Sequence, residues 1–131
     1  MRKGTPNRGG SSAYAGPFAV VNSSTESTQQ VAVYSQNSKE GRPSAATVTL
    51  GTTVKTFAET TLSVSASGYV YLKITYSGSA YIVETASAAT MPAQAATEYY
   101  VPLAYVTVTD GAIAAIQQLQ FGQVECAGRI V

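Results

Sequence analysis

The amino-acid sequence predicts an all-β protein, with an antiparallel β-sandwich or barrel-like body and an extended N-terminal arm. From Pro17 onward, short β-branched and aromatic runs alternate with turn residues, which is typical of sandwiches and barrels. No stretch has the apolar spacing of a helix face. At 131 residues and 13.6 kDa, the chain is long enough for one core. We therefore expect an arm of residues 1–16 and one all-β domain of residues 17–131.

The arm is poor in apolar side chains and rich in glycine. Residues 1–16 hold four Gly, one Pro and three of the eight basic side chains of the chain. Such a segment cannot offset its ordering entropy by burial in its own domain, so it is either disordered or ordered by contact with a neighbour. Arg2, Lys3 and Arg8 are the candidate side chains for anchoring it to an acidic neighbour. No apolar run follows Lys3, which predicts synthesis in a cytoplasm without a cleaved export signal.

Ten segments of the body have the composition of strands. They are residues 18–21, 29–35, 46–50, 52–57, 61–66, 69–76, 80–86, 98–109, 112–121 and 123–126. Residues 86–96 are rich in Ala, but Ser87, Thr90 and Pro92 favour a loop there.

The segment 69–76 alternates with period two. Its predicted core face carries Val70, Leu72, Ile74 and Tyr76, and its other face carries Tyr69, Tyr71, Lys73 and Thr75. Tyrosines can pack their rings while their hydroxyls stay in water, which suits contact with a neighbouring subunit. Tyrosines lying flat on an exposed sheet are the alternative.

The segment 98–121 predicts a second hairpin. Asp110-Gly111 supplies the positive φ angles of a tight primed turn, which sets the register of the two arms. Both arms carry apolar residues on both predicted faces, and such strands are usually buried on both. We therefore expect one face to lie in the core and the other against a neighbouring subunit. On the first arm, Tyr100, Ala104, Val106 and Val108 share one predicted face, and Tyr99, Val101, Leu103, Tyr105 and Thr107 share the other. On the second arm, Ile113, Ala115, Gln117, Leu119 and Phe121 share one predicted face, and Ala112, Ala114, Ile116, Gln118 and Gln120 share the other.

The composition argues against several partners and against catalysis. Charged residues make up 11% of the chain, against roughly a quarter in average composition, and the net charge is +1. Nucleic acids and anionic membranes require a basic patch, so neither is an expected partner of the body. The chain has no His and one Cys, which excludes Ser-His-Asp and Cys-His catalysis and the usual zinc sites. Cys126 is expected to be a small buried hydrophobe.

The acidic residues offer one pair for glycosidase-like chemistry, Glu84 with Glu98. Both lie beside predicted turns, where a solvated carboxylate needs no further explanation. We therefore expect a protein without enzymatic activity, with no catalytic residue, no bound metal and no cofactor.

Several segments resemble a known group of proteins. "GYVYLKITY", "AYIVETA", "EYYVPLAYVTVTDGAIAAIQQLQFGQV" and the closing "GRIV" resemble, in this order, small virion structural proteins of tailed bacteriophages and prophages, of the fibre, head-fibre or decoration type. The resemblance covers roughly Thr60 to Val131 and touches Gly16-Pro17-Phe18. It implies an all-β, homotrimeric building block of a virion, made in the host cytoplasm and attached to other virion proteins of the capsid or tail.

The homotrimer that the resemblance implies would relate the predicted subunit contacts by a threefold axis. Around a threefold axis, three copies of each glutamine would lie close together and could hydrogen-bond without the cost of burying charge. The candidate interface residues are Tyr69, Tyr71, Tyr99, Tyr105, Gln117, Gln118 and Gln120. Carbohydrate or receptor binding is the alternative function, with exposed tyrosines stacking on a host-surface glycan. Attachment to the head or to the tail stays open.

Overall fold

The computed structural model describes residues 14, 16–35, 45–77 and 80–125. Within these ranges the chain is all-β and contains no helix, as the sequence predicts. Arg2, Lys3, Arg8 and Cys126 lie outside the described residues.

The described residues form ten strands, and each of the ten predicted segments contains or overlaps one. They are β1 (Val20–Asn22), β2 (Gln30–Val33), β3 (Thr47–Leu50), β4 (Thr53–Thr56), β5 (Thr60–Ser63), β6 (Gly68–Ser77), β7 (Ala80–Ala88), β8 (Glu98–Thr109), β9 (Ala112–Gln118) and β10 (Val124–Glu125).

The strands form three sheets around one core. The sheet orders are β1-β2-β5, β10-β3-β4 and β7-β6-β8-β9, and every pairing is antiparallel except the short parallel pair of β10 with β3. Valine, leucine and isoleucine side chains from the sheets form a single apolar cluster together with Phe18 and Phe57, which lie outside the strands. Its largest fully buried members include Phe18, Leu72, Ile74 and Leu103.

Two β-bulges decide which residues of the long hairpin face this core. Val70 pairs with Ala104 but Tyr71 pairs with Pro102, so Leu103 is an extra residue on β8. Between β8 and β9 the partners of Thr107 and Val108 are Ala115 and Ile113, so Ala114 is the extra residue on β9. Because side chains alternate along a strand, one extra residue moves every residue beyond it to the other face.

The predicted faces of the hairpin are therefore wrong beyond each bulge. Tyr99 and Val101 are cross-strand partners of Ile74 and Leu72, so they share the core face with Ala104 and Val106. Ile113 pairs with Val108 and packs against the same core. The apolar residues thus converge on one face instead of lying on two. A two-sided apolar strand is not required to explain this hairpin.

The connection from β7 to β8 crosses the outer face of the four-stranded sheet. It leaves Ala88, which pairs with Tyr69 on one side of β6. On the far edge of β8, the side-chain amide of Gln94 donates to the carbonyl of Tyr100 (3.2 Å) and accepts from its N–H (3.0 Å). Tyr71 and Tyr100 lie on the outer face under this path and are only 7% and 8% exposed.

Candidate interaction surface

Asp110 and Gly111 form the tip of the long hairpin. Their φ angles are +53° and +80°, the positive values that a two-residue primed turn requires. Both residues are exposed. They connect the paired residues Thr109 and Ala112 and set the register of the hairpin below them.

Four predicted tyrosines lie in three different environments. Tyr71 is buried, and its ring packs edge-to-face on Tyr100 at 5.7 Å between centroids. Tyr99 is half-buried against the core. Only Tyr69 and Tyr105 are both half-buried and on the outer face, where they form a cross-strand pair with ring centroids 5.0 Å apart. The position of Tyr99 follows from the bulge at Leu103.

Gln118 is a structural clamp within the chain. It is 6% exposed, and its Nε2 donates to the carbonyls of Phe18 (2.9 Å) and Gln120 (2.8 Å) while its Oε1 accepts from the N–H of Val20 (2.9 Å). β9 and β1 are not paired in a backbone ladder, and the amide side chain of Gln118 supplies the hydrogen bonds between them instead. Since its polar atoms are all used within the chain, Gln118 leaves the predicted set of interface residues.

Other glutamines bind backbone groups in the same way. Gln123 accepts from the N–H of Thr47 (2.6 Å) and donates to the carbonyl of Ala45 (2.7 Å). Gln120 donates to the carbonyls of Gly122 and Gln123. A neutral amide carries one donor and one acceptor end, as a peptide group does, and it satisfies strand edges without burying charge. Of the three predicted interface glutamines, only Gln117 is exposed.

Tyr14 ties the end of the predicted arm to the body. Its ring packs edge-to-face on Phe121 at 5.1 Å, and its hydroxyl donates to the carbonyl of Pro17 and accepts from the N–H of Gly122. Phe121 is nevertheless 62% exposed and Leu119 is 37% exposed. The sequence reasoning missed this contact, although an aromatic residue isolated in a polar arm was its visible signal.

These residues define an uncharged strip on the outer surface. Gln117, Leu119 and Phe121 alternate with the buried residues Ile116 and Gln118, so they point away from the core. Tyr105 is the cross-strand partner of both Gln117 and Tyr69. The uncharged strip consists of Tyr14, Tyr69, Tyr105, Gln117, Leu119 and Phe121.

A charged row lies on the outer face of the same sheet, separated from the strip by the buried Tyr71. Lys73 lies between Glu84 of β7 and Tyr100 of β8, and its Nζ is 3.8 Å from Oε2 of Glu98. The Tyr100 hydroxyl donates to Glu98. This bond to a carboxylate, reinforced by burial and by the charge of Glu98, raises the pKa of Tyr100 to about 12. Glu84 and Glu98 thus both lie close to Lys73. Glu98 forms an ion pair with Lys73 and accepts a hydrogen bond from Tyr100.

The described residues contain no group of three or more His, Cys, Asp or Glu placed to hold a metal ion. No helix that could span a membrane occurs in the described part of the chain.

Comparisons with known proteins add no relative. No family model, no curated protein and no solved structure matches this chain.

Proposed function

We propose that the chain is a non-enzymatic structural subunit of a bacteriophage virion, of the fibre, spike or capsid-decoration type. In this proposal it is made in the host cytoplasm, has an antiparallel β-sandwich or barrel-like body with an extended N-terminal arm, and assembles as a homotrimer in the particle. The observation that carries the proposal is the uncharged strip. Interface cores are enriched in aromatic residues and depleted of charge, and contiguous exposed apolar surface commonly marks a binding site.

The strip combines the two properties that a subunit contact needs. Phe121 and Leu119 expose apolar area whose burial would be favourable, and Tyr69 and Tyr105 offer aromatic bodies with polar tips. Gln117 is exposed beside them and can pair with another amide across a symmetry axis. Burial of these side chains in a subunit contact would remove no charged group from water.

The segments that carry the phage resemblance also meet in space. Gly16-Pro17-Phe18 forms a turn in which the N–H of Ala19 donates to the carbonyl of Gly16 (3.1 Å). Gln118, at the start of "QLQFG", clamps this turn through Phe18. The two separated parts of the resemblance thus form one packed unit, which supports treating them together.

The N-terminal segment is proposed to anchor the subunit to an acidic neighbour in the particle through Arg2, Lys3 and Arg8. Tyr14 is the described residue of this segment that contacts the body, and it is held on Phe121 and Gly122. Basic side chains would engage a carboxylate-bearing surface by charge-assisted hydrogen bonds.

Glycan binding has less support from the geometry. Stacking on a sugar needs an exposed ring face, and Tyr71 is 7% exposed. Tyr69 and Tyr105 are half-buried and pack against each other. No observation favours this alternative over subunit contact.

Mass measurement in solution tests the subunit contact. The unmodified protein is expected to be a trimer at micromolar concentration. Phe121→Ser is expected to shift it toward monomer, because apolar area is lost from the contact. Val54→Ser is the matched control, since Val54 is 58% exposed but lies on β4, away from the strip. A monomeric unmodified protein, or equal effects of both variants, would sink the proposal.

Deletion of residues 1–13 tests the anchoring. The cut leaves Tyr14 and the turn at Gly16 in place, so the body keeps its own contacts. The shortened protein is expected to keep its solution mass and to be absent from purified particles. Normal incorporation would refute an anchoring role for Arg2, Lys3 and Arg8.

A further inference from the structure

Strand β4 is an uncovered edge of the sheet β10-β3-β4. Among the described residues it pairs with β3 alone, and all four of its residues, Thr53–Thr56, are exposed. The stretch TVKTF, from Thr53 to Phe57, is rich in β-branched residues and contains no Pro or Gly. Exposed edge strands of this composition are templates for pairing with another chain.

The backbone of β4 offers unpaired groups at this edge. The N–H of Phe57 donates to the carbonyl of Ala46 (2.8 Å), next to the pair of Thr56 with Thr47. Hydrogen-bonded and non-hydrogen-bonded pairs alternate along an antiparallel ladder, so Val54 and Thr56 point their N–H and C=O groups away from β3. Within the described ranges these groups have no hydrogen-bond partner. They are the groups that an added strand would bind.

Comparable edges elsewhere in the body are closed within the chain. On β8, the Gln94 side chain bonds to the N–H and C=O of Tyr100, and Pro102 has no N–H to offer. On β3, the Gln123 side chain accepts from the N–H of Thr47. β4 has no such cover in the described part of the chain, so any protection comes from its own side chains.

Lys55 is the charged residue of β4 and lies on the core-facing side of the strand. Its cross-strand partner, Val48, is fully buried. Lys55 lines a cavity of about 260 Å³ together with Phe57 and Val83, and its Nζ lies 5.6 Å from the centre of the Tyr81 ring. An apolar side chain would suit this position, yet an ammonium group occupies it. Inward-pointing charges on edge strands block edge-to-edge association in natural sheets.

The charge of Lys55 makes the addition of any strand costly. The described cations are Lys55 and Lys73, and the ion pair formed is that of Lys73 with Glu98. Lys55 therefore has no carboxylate partner in these ranges, and its ammonium group depends on water. A strand added at β4 would cover this side chain and remove the ammonium group from water without a compensating charge.

A second copy of the chain would meet a further penalty. When β4 pairs antiparallel with the β4 of a second copy, both outward residues are bonded only if Val54 of each copy lies opposite Thr56 of the other. This register places Lys55 directly opposite the same lysine of the second copy. Like charges directly opposite each other destabilise a sheet.

We infer that Lys55 is a gatekeeper, a residue that keeps β4 from pairing edge to edge with a second copy of this chain. Charged residues make up only 11% of the chain, so charge repulsion protects the rest of the surface poorly against association. The inference goes beyond the virion proposal and does not rest on it, because β4 lies away from the uncharged strip.

Lys55→Val tests the gatekeeper, since it completes the apolar face of β4 and removes the charge. Size-exclusion chromatography with light scattering measures the mass over a range of protein concentrations. Relative to the unmodified protein, Lys55→Val is expected to start forming larger assemblies at a concentration at least about tenfold lower. Lys55→Arg keeps the charge, and Thr56→Val adds an apolar β-branched residue to the other face of the same strand. Both controls are expected to match the unmodified protein.

A second substitution identifies the edge. Val54→Pro removes an outward N–H without affecting the ladder to β3, and it is expected to return Lys55→Val to the mass of the unmodified protein. The amides of Val54 and Thr56 are expected to exchange fast in the unmodified protein and to be protected in the Lys55→Val assemblies. If Lys55→Val does not fold, Lys55→Gln replaces it, and Thr56→Pro replaces Val54→Pro on the same ground.

Four results would overturn the inference. They are an unchanged onset of association for Lys55→Val, equal association of Lys55→Val and Thr56→Val, association that persists with Val54→Pro, and protected Val54 and Thr56 amides in the unmodified protein. Each mass is compared with that of the unmodified protein, so the oligomeric state of the unmodified protein does not decide the outcome.

Discussion

Replacement of Gln118 tests whether a glutamine clamp holds the first strand to the rest of the body. Gln118→Met keeps an unbranched side chain of similar length but removes both polar ends. The change leaves the N–H of Val20 and the carbonyl of Phe18 without their side-chain partner in a buried site. Each buried group left unsatisfied costs about 1–3 kcal/mol.

The expected loss follows from these two groups. Together they give a loss of about 2–6 kcal/mol in the free energy of unfolding, against a total of about 5–15 kcal/mol for an ordinary domain. Urea unfolding followed by circular dichroism measures this loss, at one protein concentration for all variants because any self-association stabilises the folded state. Gln118→Glu is expected to be destabilised as well, because a carboxylate cannot donate to the carbonyl of Phe18.

An exposed residue outside the uncharged strip supplies the control. Glu59→Met should change the free energy of unfolding by no more than about 0.5 kcal/mol, as most surface substitutions do. A loss below about 1 kcal/mol for Gln118→Met, or equal losses for the two variants, would refute the role assigned to the clamp.

Three further predictions concern other parts of the structure. Tyr100 should titrate at a pKa near 12, so the rise in absorbance at 295 nm from its ionisation should occur at a higher pH than for an ordinary tyrosine. Glu98→Gln should bring the pKa of Tyr100 back toward 10. Because the folded-state pKa is raised, the stabilisation from this bond is present below pH 10 and is lost as the pH rises toward 12. Gly122→Ala should lower the free energy of unfolding by about 1–3 kcal/mol, because Gly122 has a φ of +94°, and thermal unfolding would measure it. Tyr14→Phe keeps the ring on Phe121 but loses two hydrogen bonds, so it should cost about 1–3 kcal/mol by urea unfolding, and no loss would argue against the tie.

Local sequence patterns were sufficient to predict the strands of this protein. Period-two alternation in 69–76 predicts the core face of β6, where Val70, Leu72 and Ile74 are buried. Asp110-Gly111 predicts the turn between β8 and β9, because few residues adopt positive φ there. These features depend on near neighbours in the chain, which a sequence displays directly.

Part of the uncharged strip consists of residues that the sequence singled out. Tyr69, Tyr105 and Gln117 lie together on the outer face, and their role in a subunit contact stays a prediction. Tyr14 and Phe121 were not predicted, since their contact joins residues more than a hundred positions apart. The isolated aromatic residue in the polar arm marks Tyr14, but no local pattern identifies its distant partner.

The sequence by itself determined the strand content, the low charge and the turn chemistry. The tertiary structure alone decided which face each side chain occupies and which polar groups are available to a partner. An extra residue at Leu103 or Ala114 reverses the faces beyond it, and nothing in the local composition marks a bulge in an apolar strand. Gln117 and Gln118 are chemically identical neighbours, yet one is exposed and the other is buried, because only Gln118 meets the unpaired backbone of β1. Burial and hydrogen bonding depend on which residues from distant parts of the chain surround each position, so these assignments require the tertiary structure.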